Sequence, residues 1–257
     1  MKAVWLGLGT SIAVALLACS STDDSDKFPD VASFCNQYAT EECQVASRCA
    51  ASAATCQSAQ QADCQTFATA ATTGTRKYTP GNAQACIDKV HDTFNGANSG
   101  SAITPQQMSD ISDVCSRVFS GTVDKGGACT TSYDCSGGRI CDKMVCADQV
   151  SKNQGDFCGN PGETCASGSY CAASGGGLQC VADGTQGAQC GANDPPCGPT
   201  LRCDNTCGPR FQAGTACASN DDCDPSAPYC DPNIGNKCDL GETFAAGAPA
   251  CKDFGGS

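Results

Sequence analysis

The sequence predicts a small disulfide-rich protein in two parts: an N-terminal α-helical, disulfide-stapled domain over residues 28–121, then four short cysteine-rich finger repeats over residues 122–257. Three observations predict it. Cysteine supplies 25 of 257 residues while aromatics supply 6%, with Trp5 the single Trp, so covalent staples rather than a large apolar core must hold the chain together. Near residue 121 the composition changes from Ala, Gln, Ser and Thr to Gly, Pro, Asp and evenly spaced Cys. Beyond that point the cysteine spacing repeats four times.

Residues 1–18 read as a secretory leader. Lys2 is followed by an apolar run from Val4 to Leu17, interrupted only by small residues and Thr10/Ser11. That run falls short of the roughly 20 residues a membrane span needs, and suits the apolar region of a signal peptide. Its end, Leu16-Leu17-Ala18-Cys19, resembles the lipobox of bacterial prolipoproteins, which implies cleavage before Cys19 and acylation of that residue. The count agrees, since 25 cysteines are odd and setting Cys19 aside leaves an even 24. Residues 19–27 then form a lipidated cysteine with an acidic tether, SSTDDSDK, that has nothing apolar to bury. Several acyl chains, at about 0.8 kcal/mol per buried CH2, would hold the protein on the bilayer. By resemblance to lipoprotein sorting, Ser20 rather than Asp after the cysteine implies the outer membrane. The formal charge of -12, more negative still once Lys2 leaves with the leader, sets nucleic-acid binding aside.

In the helical half, Thr104 is an N-cap, Pro105 occupies the first helical position and Gln107 closes a capping box. Met108, Ile111, Val114, Cys115, Val118 and Phe119 form one apolar face, and Gly121 is expected to stop the helix. An earlier helix, about Asn82 to Phe94, places Ala83, Ile87, Val90 and Phe94 at helical spacing before Asn95-Gly96. Folded as an antiparallel hairpin with a loop of about eight residues, the two bring Cys86 opposite Cys115 within an axial mismatch of about 3 Å, and these are expected to pair. Asp30–Cys49 and Thr55–Ala71 read as Ala-rich helices flanking a turn near Ala51–Ala54. Cys49 with Cys56 and Cys43 with Cys64 are nearly symmetric about that turn and are expected to bond.

The second half contains GGACTTSYDCSGGRICDKMVC, GDFCGNPGETCASGSYCAASGGGLQC, GAQCGANDPPCGPTLRCDNTC and GTACASNDDCDPSAPYCDPNIGNKC. The modules start at Cys129, Cys158, Cys190 and Cys217, each with a Gly just before its first cysteine and five or six residues in each of its first two gaps. A hydrophobic residue, Ile140, Tyr170, Leu201 or Tyr229, sits at or near the position before each third cysteine. GAPAC, ending at Cys251, reads as the start of a fifth module that stops. Spacing alone leaves three connectivities open per module.

The G-x-C-x5-C-x5-C run resembles the fingers of Dickkopf N-terminal and colipase-like domains, and similar arrays occur in a group of myxobacterial lipoproteins. The resemblance implies first-to-third and second-to-fourth pairing: Cys129 with Cys141, Cys135 with Cys146, Cys158 with Cys171, Cys165 with Cys180, Cys190 with Cys203, Cys197 with Cys207, Cys217 with Cys230 and Cys223 with Cys238. Wnt-antagonist activity does not carry over, because no receptor-contacting motif can be matched. Cys35 and Cys251 then remain, and their pairing would close the array against the first helix; an intermolecular bond, or another partner for Cys35 in the helical half, are the alternatives.

Chemistry-bearing motifs are scarce. No C-x2-C occurs and Cys203/Cys207 is the closest pair, which argues against zinc and thioredoxin-type sites. His91 is the only histidine, and G-x-S-x-G, H-E-x-x-H and phosphate-binding loops are missing. Asp221, Asp222, Asp224 and Asp231 gather oxygen ligands in one module but lack an EF-hand pattern, so a solvated acidic turn is the expectation. The sequence thus points to a protein without catalytic activity or cofactor, anchored to a lipid bilayer through acylated Cys19, with a structural or interaction role toward an envelope or extracellular protein. The alternative is a lipid-anchored enzyme or enzyme inhibitor.

Overall fold

Asp30 begins the first helix: its carboxylate accepts from the Ser33 amide at 2.8 Å while the Ser33 side chain reaches back to the Asp30 backbone. In the computed structural model, which describes residues 27–256 apart from Gly175 and Asn193, this helix α1 spans Val31–Glu42. The leader, Cys19 and the tether up to Asp26 lie outside the described residues. α1 is shorter than the expected Asp30–Cys49. Past Glu42 the chain tightens into a 3-10 turn at Cys43–Val45, and Val45, Ala46 and Cys49 are all buried there.

α2 (Ala53–Thr73) returns beside α1 and buries only Cys56 and Ala68. Its Thr66, Thr69, Thr72 and Thr73 hydroxyls donate to carbonyls four residues back, absorbing their polarity within the helix. α3 (Ala83–Asn98) continues through Asn95-Gly96, the expected stop. α4 (Pro105–Ser116) carries the expected capping box, with Gln107 N–H donating to Thr104 Oγ1 at 3.2 Å and Thr104 N–H to Gln107 Oε1 at 2.9 Å. It ends before Gly121. Val118 and Phe119 are buried beyond the helix, and Phe119–Gly121 forms strand β2, antiparallel to β1 (Arg76–Tyr78).

The disulfides correct part of the expected ladder. Cys86 bonds Cys115, but Cys43 bonds Cys56 rather than Cys64, and Cys64 bonds Cys35. Cys49 does not reach Cys56 and Cys35 does not reach Cys251; instead Cys49 bonds Cys251. Both hairpin bonds are symmetric about Cys49–Ala50 rather than about Ala51–Ala54, because the chain leaves α1 early and Ala50 takes a left-handed φ of 53°. The apex cysteine is thereby left facing the C-terminus. Pro249–Phe254 is not a finger but a 3-10 turn whose Ala250, Cys251 and Phe254 sink into the helical core.

The core of this half joins two aromatic groups. Phe34, Tyr78 and Phe119 pack mutually, with Phe34 and Phe119 edge to face at 6.2 Å. Phe94 packs on Phe244 and Phe254, which arrive from the far end of the chain.

Each finger ends in a β-hairpin: β3–β4 (Ile140–Asp142, Val145–Ala147), β7–β8 (Ser169–Ser174, Gly177–Ala182), β9–β10 (Leu201–Asp204, Thr206–Pro209) and β11–β12 (Tyr229–Asp231, Lys237–Asp239). Between the first two hairpins lies a short parallel pair, β5 (Val150–Lys152) with β6 (Glu163–Cys165). The third and fourth cysteines face each other across every hairpin, as Cys141 does Cys146 and Cys230 does Cys238, yet bond outward. First bonds third and second bonds fourth in all four modules, the pairing the resemblance implies. One hydrogen-bond frame recurs: a glycine (126, 155, 187, 214) donates to the fourth-cysteine carbonyl, and the first cysteine donates to a carbonyl at or beside the hairpin turn (Met144, Leu178, Asn205, Asn236). Those glycines sit at φ of 80–90°, which an L side chain adopts poorly.

The array leaves the helical domain and comes back to it. Going out, Asp134 accepts from Arg76 Nε at 3.0 Å and from Thr75 Oγ1 at 2.9 Å, and a side chain at Gly121 would collide with the Asp134 carbonyl. Returning, Ile103 and Glu242 exchange two backbone hydrogen bonds at 2.8 Å, and a side chain at Gly241 would collide with the Ile103 carbonyl. Arg48 then donates to the Phe244 carbonyl and Gln60 to that of Asp253.

Candidate functional site

On the buried stripe of α1, helical spacing leads from Phe34 through Tyr38 to a carboxylate, Glu42, where an apolar residue would fit. α1 is pinned to α2 by Cys35–Cys64, and α4 to α3 by Cys86–Cys115. Between them opens a cleft of about 340 Å³, lined by Tyr38 and Glu42 of α1, Asp63 and Phe67 of α2, and Met108 and Ile111 of α4. Phe67 and Met108 form an open apolar rim, 47% and 42% exposed. Phe67 also packs edge to face on Phe119 at 5.5 Å.

Glu42 is 9% exposed, and among the described residues its Oε2 has no hydrogen-bond partner. Burial raises its carboxyl to about 7, the Tyr38 hydroxyl opposes that shift, and the negative charge of Asp63 adds to it. Tyr38 is pushed upward by its own burial and then by Glu42. The arrangement is a half-satisfied buried acid in the wall of an aromatic cleft, with no Lys or Arg in its lining.

The other candidates are engaged elsewhere. His91 is half exposed on α3 and contacts Glu41 at 2.7 Å; that hydrogen bond, then the charges of Glu41, Asp92 and Asp88, outweigh a small burial effect and raise its pKa. Among the described residues no hydroxyl is hydrogen-bonded to it, and its other hydrogen-bonding side chain is Gln44. Of the acidic run, Asp222 accepts the Ala218 and Ser219 amides, Asp224 accepts from Ser226, and Asp231 accepts the Asn233 amide, so these carboxylates are spent in turns. The cysteine triplets that approach within 4.8 Å in each finger, such as Cys129, Cys135 and Cys146, are the meeting point of two disulfides.

A larger, polar hollow of about 720 Å³ lies where the helical domain meets the first finger. Its charged groups are matched in pairs, Arg117 with Asp113 and Arg139 with Asp148. Cys19 lies outside the described residues.

The Glu42 cleft was not anticipated from sequence. Only Glu42 itself has a local signal, a Glu continuing the Phe34/Cys35/Tyr38/Ala39 stripe one turn on. No known protein family, curated protein or solved structure matches this chain.

Proposed function

We propose that this chain is a lipid-anchored protein of the bacterial cell envelope, held through acylated Cys19 on the outer membrane, whose finger array presents a surface for another envelope or extracellular protein. The observation that supports it most is the Cys49–Cys251 bond, which returns the end of the array to the helical domain. Loops are thus displayed on a scaffold fixed at both ends, the arrangement in which loops carry recognition. Met144, Phe157, Leu178 and Ile234 stand exposed on the first, second and fourth fingers. The 12 disulfides suit an oxidising compartment outside the cytoplasm.

Cross-linking on intact cells followed by mass spectrometry tests the reading. One stoichiometric partner linked through residues 122–257 is expected, and its absence there would remove the interaction role. The anchor is tested separately: Cys19→Ser should leave the detergent phase or accumulate as uncleaved precursor, and unchanged partitioning would sink it. The alternative, a lipid-anchored enzyme, would draw its chemistry from His91 and the acidic groups; His91 contacts Glu41 and Gln44.

A further inference from the structure

We propose that the cleft between α1, α2 and α4 is a binding site for a small organic amine with an apolar or aromatic body, whose ammonium group is received by Glu42. This goes beyond the envelope reading and does not depend on it.

Four observations converge on that ligand class. The Oε2 of Glu42 is a strong acceptor without a donor, in a residue nine-tenths buried, and an uncompensated buried acceptor is costly unless something supplies the missing bond. The titratable groups facing it are Tyr38 on its own helix and Asp63 on α2, while α4 contributes only uncharged side chains such as Met108, Ile111 and Ser112. The local field is therefore negative, which repels carboxylates and phosphates and attracts a cation. The walls are largely apolar and aromatic, with Phe67 and Tyr38 among the lining side chains that would contact an apolar body. Finally, the volume of about 340 Å³ lies at the lower end of the roughly 300–1,000 Å³ found for small-molecule sites, so the ligand is compact.

Rigidity favours the same conclusion. Cys35–Cys64 ties the two helices that carry Glu42 and Asp63, and Cys86–Cys115 backs the helix that forms the opposite wall. A cleft built on cross-linked helices is held in shape before a ligand arrives, so little ordering cost is left for binding to meet.

Binding must be coupled to protons. Near neutral pH Glu42 is partly protonated, and accepting an ammonium requires the carboxylate, so binding below pH 7 expels a proton. Affinity should then fall about tenfold per pH unit between roughly pH 6.5 and 5, and level off above pH 8.

The test uses the full mature chain with its disulfides intact. Phenethylamine and its neutral counterpart phenethyl alcohol are titrated by calorimetry at pH 8 and pH 5.5. The expected result is binding of the amine at pH 8 at least tenfold tighter than the alcohol, with that preference lost at pH 5.5. Glu42→Gln should abolish the preference without changing the alcohol, and Phe67→Ala should weaken both. Equal binding of amine and alcohol, no binding of either at millimolar concentration, or an unchanged preference in Glu42→Gln would overturn the assignment. Should Glu42→Gln fail to fold, Asp63→Asn gives the same readout: a weaker amine preference is expected, and an unaltered one counts against the site.

Discussion

Stripped of its sulfurs, the helical domain would still hold Phe34, Phe94, Phe119, Val90 and Val118 packed on one another, whereas a finger would hold almost nothing. In the first finger the buried cluster is Cys129, Cys135 and Cys146 themselves, and in the fourth it is Cys223 and Cys238 with a single alanine, Ala227. The helical half buries a continuous cluster of more than twenty residues that also draws Phe244 and Phe254 from the chain's end. One bond type thus does two jobs. Among the helices it fixes the register of elements that hydrophobic burial already brings together. In the fingers it supplies the buried apolar matter as well as the constraint, which is how modules of about 25 residues fold where too little surface could otherwise be buried.

The sharpest way to break this contrast is reduction. Each finger bond closes a loop of 10–15 residues and contributes about 3 kcal/mol, so a finger loses both bonds and its core together. In reductant, residues 122–239 should become protease-sensitive while helical circular dichroism near 222 nm largely survives. Equal loss of both halves would show that the helical core depends on its bonds as heavily as the fingers do.

A smaller effect is expected at the junction, where the contrast can be sharpened. Asp134 is 5% exposed; burial opposes its charge, but the Thr130 and Thr131 amides and the Thr130 and Thr75 hydroxyls overcome that and hold it well below the usual carboxylate range. Asp134→Ala leaves the half-buried Arg76 without its carboxylate and should cost about 3 kcal/mol. A group with a lowered folded pKa stabilises above its unfolded value near 4 and loses that contribution as pH falls further. The wild type should therefore weaken below pH 4 relative to Asp134→Ala, as measured by denaturant midpoints at pH 7 and pH 3. A penalty that does not shrink between those values would argue against a charge-based joint.

The smallest effect lies at a hairpin tip. Lys143 and Met144 both adopt left-handed φ, 51° and 61°, and Met144 is 73% exposed. Met144→Gly should relieve the second of these by about 1 kcal/mol, seen as a rise in the denaturant midpoint of the array alone. A loss of stability instead would mean that the methionine packs in a way its exposure does not suggest.

What could be read from the sequence follows the same division. Finger boundaries were legible because cysteine spacing is itself the fold there, and the connectivity came with the family resemblance. The α4 capping box was legible because Thr104, Pro105 and Gln107 act on backbone groups within one turn. The register of the α1–α2 hairpin was not, because Ala51-Ser52-Ala53-Ala54 has no Gly or Pro to mark the reversal, and a slip of a few residues moves every cysteine to the wrong partner. The Gly121 stop misled because that glycine serves an approach between distant backbones rather than a helix end. The Glu42 cleft depends on which faces of three helices meet, information absent from any one of them.

The Cys49–Cys251 bond spans 202 residues, so the four fingers form part of a covalent ring whose other arc is the helical core. A ring can be opened at one place without losing a piece. A single peptide-bond cut in the linkers between fingers, such as at Gln149 or Asp183, leaves both fragments attached, one by the peptide chain and the other through Cys251. The nicked molecule keeps its mass on a non-reducing gel, and separates into two only when thiol is added. Wherever proteases reach the array, such a wound is not amputation.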